Sequence, residues 1–484
     1  MIGTSYPGTL GGFPDPPATD SVRPAERNPR EVELIDVGEA LARLDQVNPL
    51  RLAGRVSEVT GLLVRATIPG VHVGELVYID TAPGGVFDAA TPAGDAPVSA
   101  ARLQAEVVGF RGEEVVLMPL GEAAGIGPDS LVTPTGRPLS ISVGDGLLGR
   151  VLDGLGDPID SGGPLRDVTP AWAVDRAAPE PLSRARIRRP LSLGVRAIDA
   201  LLTVGEGQRL GLFAGSGVGK STLMGQIARQ TDADVNVICL CGERGREVVD
   251  FLEESLGPVG RARSVVVCAT SDAPSLVRLK SAFVATSIAE WFRDQGRRVL
   301  FMMDSVTRFA RAQREVGVAA GEPPARQGYP PSVFALLPRL LERTGNGARG
   351  SITALYTVLV AGGDMEEPIA DEVRGILDGH IVLSRALADR NHWPAIDVLP
   401  SLSRLMTAVA DAAHLAAAGR VREILAAYER HRDLILLGAY QRGSDRRTDE
   451  AIARIDAIDA FLRQRTDEAA PSSDTRRALL ELAR

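Results

Sequence analysis

The sequence contains little cysteine and few aromatic residues. Its 484 residues include three cysteines, Cys239, Cys241 and Cys268, and aromatic residues make up 4% of the chain. An odd number of cysteines without metal-ligand spacing excludes a disulfide scaffold and indicates reduced thiols in a cytosolic protein. All three lie in apolar, strand-like stretches, so we expect them to be buried as small hydrophobic side chains.

Long apolar runs and an excess of positive charge are also missing. No stretch of 18 consecutive apolar residues occurs, which argues against a transmembrane helix. The N-terminus has no basic start followed by an apolar run, so we do not expect a secretory signal peptide. With 54 Lys and Arg against 62 Asp and Glu, the formal net charge is −8, which weighs against a general nucleic-acid binder.

The chain is long enough for about three domains, and its composition changes along its length. Residues 1–30 are rich in proline, glycine, threonine and aspartate, which predicts a disordered arm. Short alternating apolar runs between turn residues predict a β-barrel over residues 31–135. Strand-like and helix-like segments alternate over residues 136–406, which predicts an α/β domain with a mainly parallel sheet. Apolar residues at helical spacing predict a helical domain over residues 407–484.

One glycine-rich segment carries the clearest chemistry. It follows an apolar strand-like stretch that ends at Ala214, where the strict motif has glycine, and it precedes an amphipathic helix. Glycines let successive backbone N–H groups point at phosphate oxygens, and the helix N-terminus adds partial positive charge. This context favours a phosphate-binding loop over a chance glycine-rich turn. Lys220 is predicted to reach the β- and γ-phosphates of ATP, and Ser221 to ligate Mg²⁺. The predicted loop consists of Gly215, Ser216, Gly217, Val218, Gly219, Lys220, Ser221 and Thr222.

Two acidic residues end predicted strands that follow this loop. Asp304 terminates the apolar run that starts at Arg298, and Glu243 follows the run that starts at Val235. The C-terminal ends of parallel strands gather at one ligand crevice, so Asp304 is predicted to hold Mg²⁺ through water. Glu243 is predicted to orient the attacking water. From spacing alone, a solvated loop acid remains the alternative for Glu243.

Several long motifs occur in order around these residues. They are GSGVGKST, CGERGREVVDF, LFMMDSVTRFARAQRE, GEPPARQGYPPSVFALLPRLLER and GSITALYTVLV. In this combination the chain resembles the protein-export ATPases of type III secretion, which are related to the rotary ATP synthase catalytic subunits, from about residue 50 to residue 462. The resemblance implies an N-terminal β-barrel, a RecA-like P-loop ATPase core and a C-terminal helical domain. It also implies a homohexamer that binds ATP and Mg²⁺ at its subunit interfaces.

The resemblance further implies roles for individual residues. Glu243 matches the family's catalytic glutamate, and Arg404 matches the arginine finger that reaches the nucleotide of a neighbouring subunit. Trp393 stands where the family usually has tyrosine beside the adenine, and Arg308 matches an arginine near the nucleotide. The local alternatives are a packing aromatic for Trp393, a structural ion pair for Arg308, and a helix cap or an ion pair for Arg404. One segment departs from the family, because residues 361–363 read Ala-Gly-Gly where an acidic run is expected.

The function implied by the resemblance is ATP hydrolysis that powers type III protein export at the base of an injectisome, through chaperone release and substrate unfolding. The implied partners are stator and central stalk proteins, chaperone–substrate complexes and the export gate. The protein would then be cytoplasmic and peripherally attached to the inner membrane, with no nucleic-acid partner.

Three other functions stay open at this point. Local spellings such as ERTGNGARGSITALYTV and ADEVRGILDGH favour the injectisome over the flagellar export ATPase. A rotary ATP synthase catalytic subunit is a further alternative. An RNA-translocating helicase is disfavoured because residues 50–134 contain three aromatic residues and few bases, where such an enzyme needs a basic, aromatic RNA surface.

Overall fold

A computed structural model describes residues 52–81 and 102–484 of the chain. The predicted N-terminal arm, residues 1–30, lies outside the described residues, as do the first part of the predicted barrel domain and residues 82–101.

Six antiparallel strands near the N-terminus close into a barrel, in the order β1-β2-β5-β4-β3-β6. Successive side chains of a strand point to opposite faces, and the inward-facing residues Val64, Ala66, Val77 and Ile79 are completely buried. The strands are β1 (Gly54–Thr60), β2 (Leu63–Thr67), β3 (Glu75–Asp80), β4 (Arg102–Arg111), β5 (Glu114–Pro119) and β6 (Leu131–Pro138).

A largely parallel sheet forms the centre of the next region. Among the described residues its strands run β19-β18-β12-β17-β15-β13-β14-β8, with β16 beside β17, and β19 is the antiparallel strand at one edge. Two small sheets, β7-β9 and β10-β11, accompany it. The strands are β7 (Ser140–Val143), β8 (Val151–Asp153), β9 (Thr169–Ala173), β10 (Pro190–Leu191), β11 (Val204–Gly205), β12 (Arg209–Ala214), β13 (Val235–Glu243), β14 (Ser264–Thr270), β15 (Arg298–Asp304), β16 (Gly345–Asn346), β17 (Ser351–Leu359), β18 (Gly379–Leu383) and β19 (Ile396–Ser403).

Helices complete the core domain. They are α1 (Arg196–Leu201), α2 (Lys220–Gln230), α3 (Gly245–Asp250), α4 (Gly257–Ala262), α5 (Ser275–Asp294), α6 (Val306–Ala319), α7 (Pro331–Leu341), α8 (Pro368–Ile376), α9 (Arg385–Ala388) and α10 (Met406–Val409). A π-helical turn, Phe251–Leu256, lies between α3 and α4.

The inner strands of the sheet are largely apolar because both faces of the sheet are covered. All nine residues of β13 are buried. Cys239 belongs to the hydrophobic cluster that contains residues of α5 and α6, whereas its neighbours Ile238 and Leu240 belong to the cluster that contains residues of α2 and the C-terminal helices. Fully covered parallel strands read as continuous apolar runs, which is how the sequence predicted them. The three cysteines are buried, as predicted.

Three further helices form the C-terminal region, α11 (Ala412–Leu436), α12 (Arg446–Leu462) and α13 (Ser472–Leu482). Asp411 begins α11 by accepting a 2.9 Å hydrogen bond from the His414 backbone N–H, which is a typical N-cap. The predicted class, an α/β core with a β-barrel before it and helices after it, is thus confirmed. In the described part of the chain, none of the helices has the length and apolar composition needed to cross a bilayer.

Candidate nucleotide-binding site

The predicted phosphate loop joins the buried strand β12 to the helix α2. Gly217 and Gly219 have φ angles of 76° and 80°, a region that glycine adopts without steric cost. Val218 is buried and anchors the loop, while Ser221 and Thr222 are exposed at the first turn of α2. A helix N-terminus after such a loop offers backbone N–H groups and partial positive charge to an anion.

Lys220 is in contact with both predicted acidic residues. Its ammonium group hydrogen-bonds to Asp304 Oδ1, and its Nζ lies 3.6 Å from Glu243 Oε1. The three side chains are at most 13% exposed. Asp304 and Glu243 end the adjacent parallel strands β15 and β13, and Asp304 pairs with Leu240 in the register. Parallel pairing therefore brings both acids to the edge of the sheet where the phosphate loop lies.

Glu243 has an unusual environment for a carboxylate. Its Oε2 accepts a 3.1 Å hydrogen bond from Arg308, but within the described residues its buried Oε1 receives no hydrogen bond. Burial, as the largest cause, together with the neighbouring Asp304 and Glu247, raises the pKa of Glu243 to about 7 against the opposing effect of Lys220 and Arg308. A buried acceptor oxygen without a donor is suited to a water molecule or another ligand group.

Arg308 lies in the first turn of α6, whose N-cap residue Ser305 accepts a 3.3 Å hydrogen bond from the Arg308 backbone N–H. The guanidinium donates hydrogen bonds to the Gly242 carbonyl and to Glu243 Oε2. The structure therefore contains the ion pair that was the local alternative for Arg308. Its contact with nucleotide stays a prediction.

Trp393 lies beside the phosphate loop. A Cβ atom built on Gly219 would lie 2.8 Å from Trp393 Cζ3. The indole therefore packs directly against the loop backbone at Gly219, where any side chain would clash with the ring. The Trp393 Nε1–H donates a 2.9 Å hydrogen bond to Asn391 Oδ1. A cavity of about 440 Å³ adjoins the ring and is lined by Asn391, Trp393 and residues 463–468. An exposed indole face next to a phosphate loop can stack on a nucleotide base.

Arg404 lies near the N-terminal end of β12, whereas the phosphate loop follows the C-terminal end of that strand. Its backbone N–H donates a 3.0 Å hydrogen bond to the Asp378 carbonyl, and the Asp378 N–H donates to the Arg209 carbonyl at 2.9 Å. Arg209 is the first residue of β12, and the phosphate loop follows the last residue of the same six-residue strand. At about 3.3 Å per residue, the two ends are roughly 16–20 Å apart. The structure does not bring Arg404 to the loop of its own chain.

Sequence reasoning missed several groups near the loop. Thr357 donates a 2.8 Å hydrogen bond to Asp304 Oδ1, and Arg385 donates a 2.8 Å hydrogen bond to the Ser216 carbonyl. Gln226 and Arg229 of α2 donate to backbone carbonyls of residues 465 and 466. No motif marks these residues, since each contact joins segments that are distant in the sequence and depends on strand pairing or helix packing.

The residues at the loop fit a magnesium ion that is shared with phosphates. Magnesium takes oxygen ligands, retains several waters and is usually bound by one or two carboxylates together with substrate phosphates. The Ser221 hydroxyl and the Asp304 carboxylate are oxygen donors of this kind. Across residues 52–81 and 102–484 no group of three or more His, Cys, Asp or Glu side chains could hold a metal ion by itself.

Family models match three successive regions of the chain. Residues 56–136 match the family model for the ATP synthase alpha/beta family, beta-barrel domain, and residues 194–403 match its nucleotide-binding domain. Residues 410–481 match the T3SS EscN ATPase C-terminal domain.

Individual relatives are similar over almost their whole length. The chain is 52% identical over 441 residues to a protein named flagellum-specific ATP synthase from Bacillus subtilis (strain 168), with 91% of this chain and 97% of the relative covered. It is 53% identical over 426 residues to a type 3 secretion system ATPase from Xanthomonas euvesicatoria, with 88% and 92% covered. Among solved structures, the assembled ATPase EscN from the enteropathogenic E. coli type III secretion system superposes with a TM-score of 0.80 at 43% identity, covering 89% of this chain and 100% of EscN.

Proposed function

The chain belongs to the type III export ATPases of the ATP synthase alpha/beta family, and we propose that it hydrolyses ATP to power type III protein export. The observation that carries this proposal is the convergence of Lys220, Asp304 and Glu243 beside the phosphate loop, with Glu243 Oε1 buried and lacking a hydrogen-bond donor among the described residues.

Each of these residues has a distinct task in phosphoryl transfer. Lys220 and the loop N–H groups bind the phosphates, while Ser221 and Asp304 would hold Mg²⁺, Asp304 through water. When bound, magnesium neutralises charge on the β- and γ-phosphate oxygens. Glu243 orients the attacking water and accepts its proton, for which a pKa near 7 is well matched at neutral pH. The indole of Trp393 stacks on the adenine.

We propose that Arg404 acts on the nucleotide of a neighbouring subunit. Its place at the sheet edge away from its own phosphate loop supports this role, as does the similarity to EscN, which was solved as an assembled ATPase. A guanidinium supplied from the adjacent subunit would stabilise charge on the transferring phosphoryl group. The chain would then work as a homohexamer with ATP sites at its interfaces.

Mixed assemblies test this arrangement. Arg404→Ala subunits should lack ATPase activity alone and recover part of it when mixed with Lys220→Ala subunits, because some interfaces then combine an intact Lys220 with an intact Arg404. Absence of recovery, in rings shown to be mixed by co-purification of differently tagged subunits, would contradict a finger acting in trans.

Other partners follow from the same family. EscN was also solved in complex with its central stalk EscO, and we propose a corresponding stalk partner for this chain. Stator proteins, chaperone–substrate complexes and the export gate complete the proposed set, with the C-terminal helices α11 to α13 as the docking surface for chaperone–substrate complexes. The protein would work in the cytoplasm at the inner face of the inner membrane.

The injectisome is our preferred system because local sequence motifs such as ADEVRGILDGH favour it. The flagellar system is a second candidate, since a flagellum-specific relative is 52% identical and a type 3 secretion relative 53% identical.

A single chromosomal substitution separates the two systems. Glu243→Gln should abolish ATP-driven export, whereas the charge-matched change Glu254→Gln, at an exposed position, should not. Lost effector secretion with intact swimming would assign the protein to an injectisome. Lost swimming and lost external flagellin would assign it to the flagellum. Normal secretion and normal swimming in the Glu243→Gln strain would refute the proposed function.

A further inference from the structure

Thr357 makes a hydrogen bond that the phosphate-loop chemistry does not account for. Its hydroxyl donates at 2.8 Å to Asp304 Oδ1, the same oxygen that accepts from Lys220. Thr357 is completely buried and Asp304 is 2% exposed. A hydrogen bond to a carboxylate is stronger than one between neutral groups, and burial removes the competition from water.

The position of Thr357 in the sheet makes this contact specific. Strand β17 lies between β12, which leads into the phosphate loop, and β15, which ends at Asp304. The register pairs Met303 with Tyr356, so Asp304 and Thr357 are the next residues on adjacent strands. A second hydrogen bond, from the Leu359 N–H to the buried Thr307 hydroxyl at 2.9 Å, fastens the end of β17 to the start of α6.

A buried threonine on the same strand behaves differently. The Thr353 hydroxyl accepts a 2.8 Å hydrogen bond from the buried Gly207 backbone N–H. Its partner is thus a backbone group and not a carboxylate. Thr353 therefore has a structural task at the opposite end of β17, whereas Thr357 is directed at a carboxylate that the proposed function needs for magnesium.

We propose that Thr357 is a positioning residue for magnesium, and this inference rests on the proposed function. When nucleotide binds, Lys220 moves from Asp304 to the phosphates, and Oδ1 loses one of its two donors. The Thr357 hydroxyl then holds Oδ1 and keeps the other carboxylate oxygen directed at the hydration shell of the metal. Removal of hydrogen-bonding partners around a metal site commonly changes metal affinity or activity ten- to a hundredfold.

The experiment measures the gain in nucleotide affinity that magnesium provides. Full-length wild type and variants are titrated with the fluorescent nucleotide mant-ADP, once in EDTA and once in excess Mg²⁺. Thr357→Val removes the hydroxyl at nearly constant volume and should reduce the magnesium-dependent gain about tenfold while leaving affinity in EDTA unchanged. The magnesium concentration for half-maximal ATPase activity should rise by a similar factor.

Three further variants make the result specific. Thr357→Ser keeps the hydroxyl and should retain the wild-type gain. Thr353→Val removes the buried threonine hydroxyl near the start of β17 and should alter melting temperature without altering the gain. If Thr357→Val does not fold, Thr357→Ala tests the same loss.

The outcomes distinguish the inference from the proposed function. A wild-type gain in the hydroxyl-free variants, or an equal loss in Thr357→Ser, would overturn the role of Thr357 while leaving ATP hydrolysis intact. Failure of the wild-type protein to bind mant-ADP, with no difference from Lys220→Ala, would overturn the proposed function and the inference together.

Discussion

Replacing Glu243 by glutamine should make the nucleotide-free protein more stable at alkaline pH although it removes activity. Burial, together with the nearby Asp304 and Glu247, raises the pKa of Glu243 from 4.5 to about 7. A carboxyl with a raised pKa binds its proton more tightly in the folded state, so its contribution to stability is fully present below the unfolded pKa of 4.5 and is lost as the pH rises through 7.

The size of the effect follows from the shift. Since one pKa unit corresponds to 1.36 kcal/mol, the ionised carboxylate costs about 3 kcal/mol of folding free energy above about pH 8. At about pH 5 the folded state still holds the proton, and Glu243 then lowers the free energy of unfolding by only about 1 kcal/mol relative to more acidic pH. Glutamine is neutral at every pH and escapes this cost, so the stability gain of Glu243→Gln should grow by about 2 kcal/mol between these two pH values.

The assay is urea or thermal unfolding of wild type and Glu243→Gln across this pH range, without magnesium or nucleotide. Glu254→Gln is the matched control, because it changes the net charge equally at an exposed position. A gain that does not vary with pH, or no gain above pH 8, would refute the argument that desolvation and neighbouring acids dominate at Glu243.

Two further substitutions test other parts of the structure. Arg343→Met should cost about 3–5 kcal/mol of unfolding free energy. Arg343 and Glu290 form a bidentate ion pair in which both side chains are 1% exposed, so the substitution would leave the carboxylate buried without its main partner. Urea unfolding measures this loss, and a cost below about 1 kcal/mol would contradict it. Trp393→Ala should weaken ATP binding about ten- to a hundredfold through lost base stacking, while Trp393→Tyr should keep most of the affinity. Calorimetry in excess Mg²⁺ measures the affinity. An unchanged affinity of Trp393→Ala would show that the ring does not contact the base.

Some residues of the site could be predicted from the sequence, and others could not. The phosphate loop could be predicted in full because it is contiguous, and its glycines and following helix are local properties of the backbone. Asp304 and Glu243 could be predicted to approach the loop because apolar runs mark their strands and parallel strands deliver their ends to one edge. The ion pair between Arg308 and Glu243 could only be stated as an alternative, since a sequence does not specify which of two polar partners an arginine selects.

By itself, the sequence determined the fold class, the order of the barrel, core and helical regions, and the residue types needed for phosphate transfer. These are properties of composition, periodicity and local conformation, which short stretches of chain carry independently of one another. Tertiary structure alone decided that Thr357 meets Asp304, that Trp393 packs against Gly219 and that Arg404 lies away from its own phosphate loop. Each of these contacts depends on strand order, pairing register or packing between distant segments, and a shift of one residue in register would turn the side chain to the other face of the sheet.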